Sequence, residues 1–244
     1  MSIKNASRLF GALASTLLLC GVASAASLTT SGQVNLASSV YITNTGFFVG
    51  TDAPTAASGA NEQVVILPPV TGPFADLSGS VGSTATMKSL TVPPVVVGGS
   101  FTLPQWVVLP DGINLDLTSL PVSPYPVCTG APSAGCEAIA GSPITLQSNT
   151  NGVLASFSVG GWAYDASNPS VKVPFTGIFS AQFNEAPDNT IAGLLNDFNT
   201  NGFITTSFSA TISTSPIPEP ASLALIGAGL FVLGLFGKKK FVRE

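Results

Sequence analysis

Histidine is absent from this 244-residue chain, and arginine occurs only near its two ends, at Arg8 and Arg243. The missing imidazole removes Ser-His-Asp and Cys-His nucleophile systems, the usual general base at neutral pH and the commonest transition-metal ligand together. Charge is also scarce. Only 8% of residues are charged, about a third of the usual fraction, which argues against a charge-rich cytosolic enzyme. Residues 26–215 hold Lys88 and Lys172 as their only cations. Against them stand ten acids (Asp52, Glu62, Asp76, Asp111, Asp116, Glu137, Asp165, Glu185, Asp188 and Asp197), a net charge of −8. Such a surface repels phosphate backbones, so no nucleic-acid partner is expected.

What is present is concentrated first at the ends. Residues 1–25 combine a basic start (Lys4, Arg8), an apolar core from Leu9 to Val22 and the small residues Ala23-Ser24-Ala25. This is the pattern of a secretory signal peptide, with the mature chain starting at Ala26; an uncleaved anchor is the alternative. Cys20 raises lipid attachment, but Leu19 before it is bulkier than that processing usually accepts, so Cys20 belongs to the discarded core. At the other end, Pro216-Ile217-Pro218-Glu219-Pro220 precedes an uncharged stretch of 17 residues, 221–237, and then Lys238, Lys239, Lys240 and Arg243. As a helix the stretch would be ~25 Å long, short for a ~30 Å hydrocarbon core, a deficit that snorkelling lysines cover. The basic residues hold their end in the cytoplasm, and the signal peptide places the preceding domain outside. A buried helix of a soluble domain is the alternative for this stretch.

The tripeptide Pro218-Glu219-Pro220, the Leu- and Gly-rich apolar segment after it (Leu223, Leu225, Gly227, Gly229, Leu230) and the basic tail together resemble the sorting signal of PEP-CTERM proteins. The resemblance covers residues 216–244 and says nothing of the rest. It implies a membrane-embedded exosortase as processing partner, in an exopolysaccharide-producing Gram-negative bacterium. It also implies that Pro218, Glu219 and Pro220 are recognition residues with no catalytic role here. A stiff Pro-rich spacer before a permanent anchor is the plain alternative.

Residues 26–215 are rich in Gly, Ser, Thr and Pro and carry several period-2 segments, which predicts many short antiparallel strands. Val34, Leu36, Val40 and Ile42 alternate with polar residues; so do Val153, Ala155, Phe157 and Val159, then Val173, Phe175, Phe179 and Phe183, and then Ile204, Phe208, Ala210 and Ile212. Asp111-Gly112, Asn151-Gly152 and Asn201-Gly202 sit before apolar runs as turn signals. One segment changes period. Ile191, Leu194, Leu195 and Phe198 fall at i, i+3, i+4 and i+7, predicting a short helix over 190–199 with Asp188, Asn189 or Thr190 as N-cap, weakened by Gly193 and packed over an open edge or end of the sheets. The expected architecture is an all-β, two-sheet sandwich or jelly-roll-like domain with one short helix, plus a C-terminal transmembrane helix.

Cys128 and Cys136 enclose seven residues. In an exported chain they read as a disulfide closing a surface loop, with free thiols as the alternative. No metal site is expected there, because Glu137 is the only adjacent acid, and no cofactor is implied. Asp111 and Asp116 around Asn114, and Glu185, Asp188 and Asn189 before the helix, could supply oxygen ligands to Ca²⁺. Solvated turns are the preferred account of both clusters, because Asp and Asn are favoured in turns for backbone reasons alone; the 185–189 cluster is the better Ca²⁺ candidate of the two. Trp106, Trp162, Tyr41, Tyr125 and Tyr164 are candidate sugar-stacking rings. If the strand runs on through Gly160-Gly161, Trp162 and Tyr164 share the face opposite Phe157 and Val159, the more exposed side; simple packing on a pleated surface is the preferred alternative for this pair. The sequence thus predicts an exported cell-surface or extracellular-matrix protein, structural or adhesive in an exopolysaccharide layer and not an enzyme. The rivals are a carbohydrate-binding module and a hydrolase using two acids.

Overall fold

The structure is a computed structural model that describes residues 28, 30–43, 46–50, 61–91, 95–129, 135–215 and 230. The expected signal peptide, the sorting tripeptide and the basic tail lie outside these residues, as does the apolar stretch after the tripeptide except Leu230. Among the described residues no helix is long and apolar enough to cross a membrane.

The predicted alternation is realised in four long strands, β1 (Gly32–Thr43), β10 (Gly152–Asp165), β11 (Lys172–Phe183) and β12 (Phe203–Thr214). Val34, Leu36, Val40, Ile42, Val153, Ala155, Phe157, Val159, Val173, Phe175, Phe179, Phe183, Ile204, Phe208, Ala210 and Ile212 are all buried. Between them in sequence lie β2 (Gly46–Val49), β3 (Asn61–Thr71), a 3-10 helix (Gly72–Ser80), β4 (Thr84–Lys88), β5 (Leu90–Thr91), β6 (Leu103–Val108), β7 (Ile113–Ser119), β8 (Cys136–Glu137) and β9 (Thr145–Asn149).

These strands do not form the expected two-sheet sandwich. One antiparallel ladder runs β1-β3-β4-β6-β7-β10-β11-β12 and returns to β1, because β12 pairs with β1 from Gly32↔Thr214 to Thr43↔Phe203 and β10 pairs with β11 from Val153↔Phe183 to Tyr164↔Lys172. The result is a closed eight-stranded barrel whose strands follow chain order, an up-and-down arrangement that leaves no edge along the ring. Period-2 alternation requires one buried face and is silent on whether that face meets a second sheet or the far wall of its own. Burial therefore matched the expectation while closure did not.

The registers give the barrel two unlike ends. At the lower end Gly32 and Thr214 lie side by side, where the chain enters and leaves the barrel. The connections here are compact. Residues 109–112 turn β6 into β7, with Gly112 at φ 89° and its N–H donating to the Leu109 carbonyl. The 3-10 helix between β3 and β4 buries Phe74 and Leu77 completely at this end. At the upper end all four connections are long. They carry β2, β5, the β8–β9 flap and the helix α1 (Ile191–Asn201).

The upper end splays because β1 and β10 each change partner partway along. Residues 33–37 of β1 pair with β3, whereas 40–42 pair with β2, which in turn holds β5. Likewise residues 160–165 of β10 pair with β7, whereas 152–156 pair with β9, which holds β8. Two small flaps therefore peel away from the ring above its middle.

Inside, the middle of the barrel is filled by rings. Phe157 stacks on Phe179 with centroids 4.9 Å apart, Trp106 tilts against Phe179 at 5.6 Å and stacks near Phe175 at 6.3 Å, and Phe47 of β2 meets Phe157 edge-on at 5.1 Å. Such offset and edge-to-face pairs each add to simple area burial.

Candidate functional site

Above this aromatic floor the splayed end encloses a cavity of about 550 Å³, within the ~300–1,000 Å³ range of small-molecule sites. Each upper connection contributes a wall. Ile42 and Phe47 come from the β1–β2 side, Leu90 and residues 95–97 from the β5 side, residues 138–144 and Leu146 from the β8–β9 flap, and Leu194, Leu195 and Phe198 from α1. Ala155 and Phe157 of β10 reach it from below. Among the described residues no lining side chain is charged, and Thr43 and Ser142 supply the only polar ones. At the rim Val96 and Ile139 remain 46% and 45% exposed.

The helix that roofs the cavity forms as its sequence predicted and for reasons now visible. The Thr190 hydroxyl caps it by accepting from the Gly193 N–H at 3.0 Å, and Gly202 ends it at φ 77° with its N–H donating to the Phe198 carbonyl at 2.8 Å. Both ends are thus satisfied by local groups. Gly193, a weak point by helix propensity, proves to be required. A Cβ there would overlap the carbonyl oxygen of Pro187, so the connection before the helix packs flat against its first turn.

Opposite the helix, the β8–β9 flap is fastened by the Cys128–Cys136 disulfide, with the two Cα atoms 4.8 Å apart. The predicted bond is formed. Beside it the Glu137 N–H donates to the Pro126 carbonyl at 2.8 Å and the Cys128 N–H donates to the Glu137 carbonyl at 3.0 Å. The flap continues directly from this clamp into the cavity wall at residues 138–144.

The other candidate residues occupy separate places. Trp106 is core, 1% exposed, with its Nε1–H unpartnered. Trp162 and Tyr164 do share the outer face of β10, but they are unlike. Trp162 is 41% exposed, whereas Tyr164 is buried beneath the Lys172 ammonium, 4.6 Å from the ring centroid. Lys172 in turn pairs with the Asp116 Oδ2 at 2.8 Å, and the Asp116 Oδ1 accepts from the Gln105 N–H at 2.9 Å. That arrangement ties β6, β7, β10 and β11 together from outside. Burial first, then the Asp116 carboxylate, holds the Tyr164 phenol above its ordinary range. Asp116, a candidate Ca²⁺ ligand by sequence, is thus a structural partner of Lys172, for which the sequence suggests no role. Their contact joins residues 56 apart and needs the closed register to be seen.

Asp111 accepts from the Ile113 N–H at 3.0 Å, and burial raises its carboxyl above the usual range. It serves the β6–β7 turn. The Asp188 carboxyl is likewise raised, by burial and then by Asp197, and its Oδ1 has no partner among the described residues. Asn149, Thr150, Asn151, Asn184 and Asn189 line a shallow polar depression nearby. Among the described residues no three His, Cys, Asp or Glu side chains converge as a metal-binding group.

Comparison with known proteins speaks to the tail alone. Residues 216–240 match the PEP-CTERM protein-sorting motif, and the motif makes this an exported protein that an exosortase-type enzyme processes at the membrane. No curated protein and no solved structure matches the chain.

Proposed function

We propose that the protein is a non-enzymatic component of the cell surface or extracellular matrix, structural or adhesive in an exopolysaccharide layer. In this reading residues 1–25 direct export, residues 221–237 hold the chain transiently in the inner membrane, and Lys238, Lys239, Lys240 and Arg243 fix the cytoplasmic end. The processing enzyme recognises Pro218, Glu219 and Pro220 and detaches the barrel. The observation that carries the reading is the sorting motif at residues 216–240. Barrel polarity supports it. The last strand ends at Thr214, at the compact lower end and only a few residues before the motif, so the four long connections face away from the tether. The net charge of −8 on residues 26–215 would keep the released body soluble and off anionic lipid surfaces.

Fractionation of the native host tests this. The unaltered protein should be found in the surface or matrix fraction as a shortened chain, and Glu219→Ala should leave it unshortened with the inner membrane. Equal distribution of the two would overturn the assignment.

A carbohydrate-binding module is a second reading, favoured by one observation, the outward-facing indole of Trp162. It predicts that Trp162→Ala, with folding intact, loses retention on the host polysaccharide. Unchanged retention would remove it. For a hydrolase using two acids, Asp111 and Asp116 are unsuited, being committed to backbone N–H groups and Asp116 also to Lys172.

A further inference from the structure

We propose that the upper end of the barrel is a binding site for one small, uncharged, hydrocarbon-rich molecule, such as a neutral lipid. The site stands independently of how the tail is processed. Three features of the cavity select this occupant. Its volume of about 550 Å³ exceeds what side-chain packing leaves by accident, since native interiors hold few voids larger than a water molecule. Its lining is apolar on every wall, so water inside would find few partners beyond Thr43 and Ser142. The third feature is charge.

Anionic amphiphiles, the other common class of apolar ligand, need a cation for the head group. Of the two lysines in residues 26–215, Lys88 donates to the Pro104 carbonyl at 2.7 Å and Lys172 is held by Asp116. Neither lines the cavity. The helix that roofs it carries Asp197 between the lining residues Leu195 and Phe198. A carboxylate or phosphate entering there would therefore find no ammonium to pair with, whereas a neutral molecule needs none. Four separate chain connections build the walls. An eight-stranded barrel of this kind has room for side chains or for one small ligand, and here side chains fill the middle while the upper end is left to the ligand.

The test uses N-phenyl-1-naphthylamine, a neutral apolar fluorophore, and the full chain made by cell-free synthesis under oxidising conditions and held in amphipol, so that no host molecule has filled the cavity. A Trp162→Phe background leaves Trp106 as the sole tryptophan. Trp106 touches Phe179, which stacks on the cavity-lining Phe157, so energy transfer from Trp106 detects a probe bound near this end, and the cavity-filling variants locate it in the cavity. The expected result is saturable quenching at one probe per chain. Ala155→Phe, which pushes a ring into the cavity floor, should weaken it by about tenfold or more. Should that variant fail to fold, Ala138→Phe fills the same space from the flap. Ile178→Ser on the outer wall, where the side chain is 59% exposed, should change nothing. The sulfonate analogue 8-anilinonaphthalene-1-sulfonate should bind about tenfold more weakly or worse. Absence of saturable quenching would overturn the site, as would indifference to both filling variants. Equal binding of the sulfonate would overturn the assignment of a neutral ligand.

Discussion

The two ends of the barrel are built from the same kind of strand and finish differently. The lower end closes with a four-residue turn and a 3-10 helix that sinks Phe74 and Leu77 into the core. The upper end receives four long connections, two flaps and a helix, and these line an apolar cavity. Stability and binding thus separate along one axis. Packing is complete at the end where the last strand finishes at Thr214 and looser at the opposite end, where four long connections sit on a rigid scaffold.

The sharpest way to break that comparison is to truncate equivalent rings. Phe179→Ala, at the centre of the aromatic stack, should cost about 3–5 kcal/mol, whereas Phe198→Ala, partly buried at the cavity, should cost well under half of that, because a ring beside existing space leaves little new void. Chemical denaturation of the two variants decides it, and equal losses would mean that both ends are equally packed. Next, the paired Cys128→Ser and Cys136→Ser change should cost roughly 2–3 kcal/mol through loop entropy. It should also weaken probe binding at the upper end, since the clamp leads straight into residues 138–144. A loss of stability with unaltered probe binding would show that the flap keeps its place without the bond. Gly193→Ala should cost about 1–3 kcal/mol by overlap with Pro187, although alanine is the better helix former by about 1 kcal/mol; a stabilised variant, seen as a raised melting temperature, would contradict the close packing described for α1.

The smallest effect belongs to the lower outer wall. The bond to Asp116 raises the Lys172 ammonium above its ordinary value of 10.5. A base whose folded value is raised contributes stability that is complete below the unfolded value and lost as pH climbs through the folded one. Melting temperatures of the native chain and Lys172→Met should therefore converge above about pH 10.5, from a difference under ~1 kcal/mol because the lysine side chain is 41% exposed. A constant difference across that range would mean that the ion pair contributes nothing.

Much of this was legible in the chain before its fold was known. Each of the four long strands announced its buried face, and α1 announced its stripe, its cap and its stop, because these depend on neighbours within a few residues. Barrel closure was not legible, since Gly32↔Thr214 and Val153↔Phe183 are register facts that alternation does not encode. β3 escaped notice for a local reason. It contains Pro68 and Pro69, which argue against a strand, and it accommodates them beside a register shift against β1 where the Asn35 Nδ2 donates to the Pro69 carbonyl at 3.1 Å. The cavity was the least readable feature of all. Its walls come from residues 42 to 204, none distinguished by charge or motif, and only the paired flaps bring them to one end.

The proposed function requires a barrel that leaves its membrane segment behind. The mass of the C-terminal peptide of the protein recovered from its native host tests this most directly. A terminus at or near residues 218–220 is the predicted result. A peptide extending to Glu244 would contradict it and make the tail a permanent anchor.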